Sequence, residues 1–517
     1  MNQNLREAFG HLPDYLSQHV LLSLAALGLG IAISLPLAIL SSRRRRLGAL
    51  VLGAAGVLQT VPGLALLALF YPLLLALSLF TRNSFGFGFR ALGFLPALLA
   101  LTLYSMLPIL RNTVAALAGI DPAVMMAARG VGMTRKQSLW LVEMPLAAPV
   151  IMAGIRTAAV WVIGTATLST PIGQTSLGNY IFTGLQTENW ILVLFGCVAA
   201  ALLALVVDRL LALAETGLAR RSRGRVLLAA IGLLAVIAAS LLPAGARPQG
   251  GIVVGAKNFG EQYILADLIG RRLEAIGRPV RERDDLGSSV VFHALAAGEV
   301  DVYVDYSGTI WTNQMHRSDN PGRQAVLARV GAWLKHKYGI VMLGPLGFEN
   351  SYAFAMRGER AQSLHIASLA DLAEHADRLK IGGDLEIFSR PEWRAVRRAY
   401  GLHFAVQRQY QPNFLYRAVT GGDVDVITAF SSDGRIAQYG LTLLSDPKGA
   451  LPPYDAVLLV GPAHAHDAAL LAALRPLVGA IDLATMQKAN LMVDRDQDKQ
   501  TVAQTARWLD RRLTPRH

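Results

Sequence analysis

Charged residues are scarce in this chain of 517 residues. Asp, Glu, Lys and Arg together make up 16% of it, whereas hydrophobic residues make up 53%. Soluble domains usually carry about 25% charged residues. The composition therefore excludes one large soluble globular protein.

Cysteine and the common metal and nucleotide motifs are scarce or absent too. Cys197 is the only cysteine and lies in an apolar run, so a disulfide framework and a cysteine metal site are excluded, and we expect a small buried hydrophobe. The sequence contains neither His-Glu-x-x-His nor Gly-x-x-x-x-Gly-Lys-Ser/Thr. We therefore expect no metal, no cofactor and no enzyme activity, with any ATP hydrolysis supplied by a separate chain.

The basic excess is confined to one half of the chain. Residues 1–250 contain 18 Lys and Arg against 7 Asp and Glu, a net charge of +11. Residues 251–517 contain 31 against 29, a net charge of +2. The excess thus lies in the apolar half, where it is typical of the cytoplasmic flanks of membrane helices. Nucleic-acid binding requires it on a folded soluble surface, so no nucleic-acid partner is expected.

Apolar runs of membrane-spanning length occur only in the first 250 residues. They lie at Val20–Leu40, Leu47–Phe80, Ala91–Leu110, Ala147–Leu168 and Trp190–Leu213, with a shorter run at Val226–Leu242. The second run is too long for one straight span and is interrupted at Gln59–Gly63, where Pro62 lacks a backbone donor. We predict one crossing plus a broken or re-entrant segment there, and six spans in total.

Three basic clusters orient these spans. They are Arg43–Arg46, then Arg129 with Arg135 and Lys136, then Arg220, Arg221, Arg223 and Arg225. If all three are cytoplasmic, the N-terminus and everything after Pro243 lie outside. The run Val226–Leu242 followed by Ala244-Gly245-Ala246 is also typical of a cleaved signal peptide. A retained span is favoured, because its 17 residues give about 25 Å of helix.

The loop between the third and fourth spans has a distinctive pattern. Met126-Ala127-Ala128 is followed by Gly132, then by nine residues and Val142-Glu143-Met144-Pro145. This resembles the EAA loop of ABC importer permeases, and the surrounding 200 residues or so resemble the glycine betaine and osmoprotectant permeases. The resemblance implies a separate ATPase that docks on Met126, Ala127, Ala128, Gly132 and Pro145. Met126 stands where that family has an acidic residue, Gly132 turns the chain, and Pro145 starts the next helix.

The second half of the chain has the pattern of an α/β fold. A linker at Pro243–Gly251 precedes short β-rich runs, which alternate with helical stretches such as Glu261–Ile276. About 265 residues exceed one typical domain and suit two lobes around a cleft. The β-rich runs are Ile252–Gly255, Val300–Val304, Val424–Ala429 and Ala456–Val460.

Six segments of this half resemble the substrate-binding proteins of osmoprotectant uptake, in the order found in that family. They are Lys257–Tyr263, Asp305–Thr309, Asn350–Ala353, Phe388–Pro391, Thr428–Arg435 and Ala450–Asp455. The resemblance implies a two-lobed periplasmic-binding-protein-like domain over 251–517. It follows an all-α permease of type I-like fold over 1–225 and a last helix with linker over 226–250.

The resemblance also implies a site for a quaternary ammonium ion. Such a cation forms no hydrogen bonds, and a box of aromatic faces holds it by cation–π attraction. The box would be Tyr306, Tyr352, Phe430 and Tyr454, with Phe430 in place of the usual tyrosine. Lys257 and Arg390 match the positions that hold a ligand carboxylate, and Thr309 would add a hydroxyl or backbone donor. Asp305 and Asp433 are expected to orient Tyr and Arg side chains rather than to catalyse a reaction.

These inferences identify the chain as a fused permease and binding protein of a betaine ABC importer. We expect it in the bacterial inner membrane, with the C-terminal domain periplasmic. The expected partners are ATPase subunits and a second copy of the chain. Glycine betaine, choline, carnitine and ergothioneine remain alternative ligands. A ligand-gated channel or a membrane-tethered sensor is the alternative class, although the sequence has neither a Thr-Val-Gly-Tyr-Gly filter nor a cytoplasmic signalling domain.

Overall fold

The protein forms two compact units in the computed structural model. The structure describes residues 3–187, 189–241, 251–384, 387–495 and 497–513. One unit comprises Met1–Phe182 with Ile191–Arg247, and the other comprises Thr183–Trp190 with Pro248–His517.

The first unit is helical. Its helices are α1 (Gln3–Arg43), α2 (Arg45–Thr60), α3 (Gly63–Phe85), α4 (Phe94–Ala118), α5 (Pro122–Gly130), α6 (Arg135–Ser138), α7 (Met144–Ala166), α8 (Gly178–Gln186), α9 (Trp190–Ala219) and α10 (Arg223–Leu241). The end of α8 from Thr183 onward and the first residue of α9 belong to the second unit. A π-helical turn at Leu139–Glu143 joins α6 to α7, and a 3₁₀ turn at Thr167–Ile172 follows α7. Within the described residues, six helical stretches are long and apolar enough to cross a membrane, as predicted.

The second apolar run is broken where the sequence predicts. Helix α2 ends at Thr60 and α3 begins at Gly63, with Pro62 as the residue that precedes α3. Only α3 has spanning length, because α2 has 16 residues. The first helix is longer than predicted, since it begins at Gln3 rather than Val20.

The described residues include most of the last predicted span and only the end of the predicted linker. Helix α10 occupies Arg223–Leu241, in agreement with the predicted span. The possible cleavage site Ala244-Gly245-Ala246 and most of the predicted linker lie outside the described residues.

Close packing in the first unit depends on small residues. A Cβ added at Gly154 of α7 would lie 2.7 Å from the Asn112 side chain and 2.9 Å from the Pro108 carbonyl oxygen of α4. Helix backbones approach closely in membranes where glycine faces a neighbour. The expectation that Cys197 is buried is wrong. It is exposed on α9 beside exposed Leu194 and Val198, because that face of α9 is an apolar outer surface.

The second unit contains two five-stranded sheets, as an α/β fold of two lobes predicts. The first has the order β2-β1-β3-β10-β4 and the second β7-β6-β8-β5-β9. The strands are β1 (Ile252–Lys257), β2 (Val280–Leu286), β3 (Val302–Tyr306), β4 (Val341–Glu349), β5 (Tyr352–Arg357), β6 (Lys380–Gly383), β7 (Val406–Gln409), β8 (Val426–Phe430), β9 (Leu441–Leu444) and β10 (Asp455–Val460). Three strands of each sheet pair in parallel, and the other two pairings are antiparallel.

The chain crosses between the two sheets twice. It passes from β4 to β5 at Asn350 and Ser351, and it returns between β9 and β10. The helices around the sheets are α11 (Gly260–Glu274), α12 (Ser288–Ala297), α13 (Ser307–Thr309), α14 (Arg323–Tyr338), α15 (Gly358–Ser363), α16 (Leu369–Ala373), α17 (Pro391–Tyr400), α18 (Pro412–Thr420), α19 (Arg435–Gln438), α20 (Ala468–Leu474), α21 (Leu483–Asp494) and α22 (Val502–Leu513). Strand ends from both sheets therefore meet at the crossing point.

Candidate functional site

A cavity of about 210 Å³ lies where the two sheets of the second unit meet. All seven residues that the sequence singles out for ligand binding line it: Lys257, Tyr306, Thr309, Tyr352, Arg390, Phe430 and Tyr454. They are separated by up to about 200 residues of sequence, so the topology of the strands brings them together.

Strand ends position most of these side chains. Tyr306 is the last residue of β3 and Phe430 is the last residue of β8, while Tyr352 begins β5 and Tyr454 directly precedes β10. Because β5 and β8 are antiparallel, Tyr352 is the direct partner of Phe430. Rings at facing ends of neighbouring strands stand side by side.

Three of the rings form one cluster. The Tyr352 and Phe430 ring centroids are 5.0 Å apart, and those of Tyr352 and Tyr454 are 5.8 Å apart at an interplanar angle of 85°. Tyr306 lies instead against Phe259, with centroids 6.1 Å apart. Phe259 also lines the cavity and is an aromatic residue that the sequence analysis did not select.

Glycine makes room for one of these rings. A Cβ at Gly308 would lie 2.8 Å from atoms of the Tyr454 ring. Any larger residue in the Asp305–Thr309 segment at this position would displace the ring. Thr309, the next residue, is buried at the end of α13.

Arg390 is buried and already has a carboxylate partner. Its Nη2 lies 2.9 Å from Oε1 of Glu392, and its guanidinium carbon lies 5.2 Å from the centroid of Tyr352. Burial would raise the pKa of Glu392, but Arg390 outweighs it and holds that pKa below the ordinary value. Arg390 thus presents a positive group beside the aromatic cluster.

Lys257 is also held in an ion pair. Its Nζ lies 2.5 Å from Oδ1 of Asp305 and 5.0 Å from the centroid of Tyr306. Asp305 accepts further hydrogen bonds from the Tyr303 hydroxyl at 2.5 Å and from the Tyr306 backbone N–H at 2.7 Å. Asp305 therefore fixes Lys257 and a tyrosine, which is an orienting role.

A third ion pair in the lining joins Asp433 and Arg435. The Arg435 Nη2 lies 2.7 Å from Oδ2 of Asp433, and its Nε lies 3.0 Å from Oδ1. Asp433 thus contacts an arginine side chain, in line with the expected orienting role, which stays a prediction.

Each tyrosine of the proposed box donates its hydroxyl to a buried carboxylate. Tyr306 donates to Glu261 at 2.5 Å, Tyr352 donates to Asp384 at 3.1 Å, and Tyr454 donates to Glu392. None of these three carboxylates is predicted from the sequence as part of the site. Glu261 lies inside the recognised segment Lys257–Tyr263, but nothing in its spacing identifies it as part of the cavity.

Burial is the largest influence on the pKa values of Glu261 and Tyr306. It raises the pKa of Glu261, while hydrogen bonds from Ser432, Tyr306 and two asparagines oppose that shift. Burial also raises the pKa of Tyr306 well above the ordinary value, and the nearby Glu261 acts in the same direction. The Tyr306 phenol therefore stays protonated and remains a donor.

The loop with the importer pattern forms its own short helix in the first unit. Helix α5 contains Met126-Ala127-Ala128, and Met126 is 66% exposed. Gly132 follows with φ of +79°, in the left-handed region that favours glycine. Pro145 occupies the second position of α7, but the chain is already helical before it, through α6 and the π turn.

A partly buried ion pair fixes the end of this loop. The Arg43 Nη2 lies 2.8 Å from both carboxylate oxygens of Glu143, and Glu143 is buried. Arg43 ends α1 and Glu143 ends the π turn. The loop is thus tied to the first helix.

Two family models match the chain. Residues 30–220 match the inner membrane component of binding-protein-dependent transport systems. Residues 250–511 match the substrate binding domain of the ABC-type glycine betaine transport system. The loop and the cavity each lie within one of these matches.

Two relatives are similar to this chain, and one of them spans both halves. The chain is 30% identical over 429 residues to an ergothioneine transport permease/ergothioneine binding protein of Helicobacter pylori, covering 80% of this chain and 74% of that protein. It is 40% identical over 198 residues to a choline transport system permease protein of Bacillus subtilis, covering 38% of this chain and 84% of that protein.

A solved structure aligns with the second half. It is titled as a glycine betaine/carnitine/choline ABC transporter, has 26% identity and a TM-score of 0.46, and covers 51% of this chain and 100% of that one. The family models and the relative that spans both halves establish the assignment. The chain belongs to the ABC-type glycine betaine transport family, as an inner-membrane permease fused to an extracytoplasmic substrate-binding domain.

Proposed function

We propose that this protein binds a betaine-type quaternary ammonium compound outside the membrane and passes it inward, driven by a separate ATPase. The observation that carries the proposal is the set of four aromatic side chains, from strand ends of both sheets, that line one buried cavity. Aromatic faces suit a cation that neither donates nor accepts hydrogen bonds. In the proposed assignment, Tyr306, Tyr352, Phe430 and Tyr454 hold the ammonium head.

The same cavity has donors for an anionic end of the ligand. The guanidinium of Arg390 and the ammonium of Lys257 both lie in its lining. Each has a carboxylate partner. A guanidinium carries five N–H groups and an ammonium three, so each cation can donate to more than one acceptor. In this proposal they receive the ligand carboxylate, and Thr309 supplies an additional donor.

Two relatives define the ligands to test first. The relative that spans both halves is named for ergothioneine, and the permease relative for choline. Ergothioneine carries a trimethylammonium group and a carboxylate, as glycine betaine and carnitine do, whereas choline lacks the carboxylate. All four compounds share the cationic head that the cavity would hold.

The coupling and assembly parts of the proposal rest on the first unit. In this assignment, α5 with its exposed Met126 and the adjacent Ala127, Ala128 and Gly132 docks the ATPase, and Pro145 begins the span that responds. ABC importers use two permeases and this chain supplies one, so a homodimer with two binding domains follows. The run Val226–Leu242 is retained as the last span in this proposal.

Calorimetric titration of the full chain in nanodiscs tests the binding proposal. Glycine betaine, choline, carnitine and ergothioneine are the ligands, and proline is a zwitterionic control without a quaternary ammonium group. At least one of the four is expected to bind at micromolar concentration or below, with proline at least 100-fold weaker. Binding of proline alone, or of none of the five compounds, would refute the proposal.

A further inference from the structure

The buried carboxylates around the cavity differ in their partners. Asp305 is paired with Lys257, Glu392 with Arg390, and Asp433 with Arg435. Glu261 is equally buried, with 4% of its surface exposed, and it lines the cavity. Among the described residues, no Lys or Arg forms an ion pair with Glu261.

The partners of Glu261 are neutral donors. The Tyr306 hydroxyl lies 2.5 Å from Oε1, the Asn350 Nδ2 3.2 Å from Oε1, and the Asn490 Nδ2 2.8 Å from Oε2. The Tyr306 hydroxyl also accepts a hydrogen bond from Gln262 at 2.9 Å. These bonds satisfy the oxygens of Glu261 but leave its charge unbalanced.

An unbalanced buried charge is costly, so a site that contains one favours a ligand of opposite charge. We propose that the cationic head of the ligand is the counter-ion of Glu261, which makes Glu261 the residue that selects a positive charge over a neutral group of the same shape. This rests on the proposed function, because it assigns a role within the same site.

The position of Tyr306 explains how a carboxylate behind the ring acts on the ligand. Its hydroxyl donates to Glu261, and its ring lines the cavity. A carboxylate that accepts a hydrogen bond from the phenol makes the ring more electron-rich, which strengthens its attraction for a cation. Phe430 has no hydroxyl and no such support. Glu261 is therefore a positioning residue that acts through Tyr306 and through its own field.

Choline and its neutral isostere 3,3-dimethylbutan-1-ol separate charge from shape. The isostere replaces the ammonium nitrogen with carbon. Calorimetric titration of the full chain in nanodiscs gives the affinity ratio of the two compounds. In Glu261→Gln, choline is expected to bind at least 10-fold more weakly, while the isostere changes by less than about threefold.

Two further variants complete the design. Asp267→Asn removes a carboxylate from the same helix, at a residue that does not line the cavity, and the affinity ratio is expected to stay unchanged. Glu261→Asp keeps the charge, so a choline preference within threefold of the unmodified ratio is expected. This variant also serves if Glu261→Gln does not fold.

The outcomes are distinct. Equal losses for both compounds in Glu261→Gln, an unchanged choline affinity, or a collapsed ratio in Glu261→Asp would each overturn the role of Glu261. If choline, glycine betaine, carnitine and ergothioneine all fail to bind the unmodified chain, the proposed function itself is refuted. The inference is supported if the ratio of choline affinity to isostere affinity collapses in Glu261→Gln and is kept in Glu261→Asp and Asp267→Asn.

Discussion

At the scale of single residues, each lysine and arginine in the lining of the candidate site is paired with a buried carboxylate. Lys257, Arg390 and Arg435 each have a carboxylate within 3 Å. Truncating one member of such a pair leaves the other buried and unpaired, which costs several kcal/mol by itself. Substitutions that test binding here must therefore remove both charges together.

Arg390 is the first residue to test in this way. The double variant Arg390→Gln/Glu392→Gln keeps the pair neutral and removes the guanidinium. A charge-assisted hydrogen bond contributes about 1.5–3 kcal/mol, so glycine betaine is expected to lose roughly 10- to 150-fold in affinity. Choline has no carboxylate and is expected to change by less than about threefold. Calorimetry measures both, and equal losses would mean that Arg390 serves folding or closure.

The ionisation of Glu261 predicts a pH dependence. Its pKa is raised by burial, and a bound cation favours the ionised form. As pH falls through that raised pKa, Glu261 takes up a proton, so choline affinity is expected to fall as the pH is lowered into the acidic range. The other ionisable groups in the lining are Lys257, Tyr306, Tyr352, Asp384, Arg390, Asp433, Arg435, Tyr454 and Asp494.

Glu261→Gln is the control for this prediction. Choline does not titrate in that range, so the slope comes from the protein. The variant is expected to lose most of the slope. A slope of the same size in both proteins would assign the pH dependence to another carboxylate.

Residues that line the cavity could be predicted from the sequence only where a whole motif was present. The aromatic positions and Arg390 follow from six ordered segments, and all of them line the cavity. Asp384 and Glu392 lie outside or at the edge of those segments, and their roles depend on contacts with Tyr352 and Tyr454. Contacts between residues far apart in sequence leave no local pattern.

At the scale of elements, strands of the second unit were predictable and their order was not. Buried β-branched runs predict β1, β3, β8 and β10, and the structure has strands at all four. Nothing local indicates that β10 inserts between β3 and β4. That insertion places Tyr454 beside the first sheet, so the shape of the cavity depends on the tertiary fold.

The turn after α5 gives a prediction at this scale. Gly132 has φ of +79°, whereas Gly130 lies at the end of α5 without a positive φ, and a Cβ at either position would meet nothing within 4 Å. Gly132→Val is therefore strained by about 1–3 kcal/mol without a steric clash. It is expected to abolish ligand uptake by cells that contain the ATPase, while ligand affinity stays normal.

Gly130→Val is the matched control. It introduces the same side chain into the same loop and is expected to retain most of the uptake. If Gly132→Val transports as well as the unmodified chain, the loop is not the coupling element. If both variants lose ligand binding as well, the effect lies in folding.

At the scale of the whole molecule, the contrast in composition between the two halves is what made the architecture predictable. The hydropathy of the first half fixes six spanning helices, and alternation of short strands and helices fixes the α/β class of the second. Helix ends were less predictable, since α1 extends 17 residues before the predicted start at Val20. Amphipathic turns at a membrane boundary lack the hydropathy signal that identifies the span.

The number of copies in the transporter is a further property of the whole molecule. We expect the purified chain in nanodiscs to have the mass of two copies, and of two copies with two ATPase subunits when the partner is added. Light scattering coupled to size-exclusion chromatography measures this. A single copy that still transports would contradict the homodimer.

The position of a bound ligand decides whether the four aromatic rings hold the cationic head. An experimental density map of the full chain with choline or glycine betaine would locate the quaternary nitrogen relative to the rings. We expect the nitrogen within about 6 Å of the ring centroids of Tyr306, Tyr352, Phe430 and Tyr454, after rigid closure of the lobes if they move. A ligand bound elsewhere, or a nitrogen remote from these rings while the four remain apart, would show that the rings do not form a cation site.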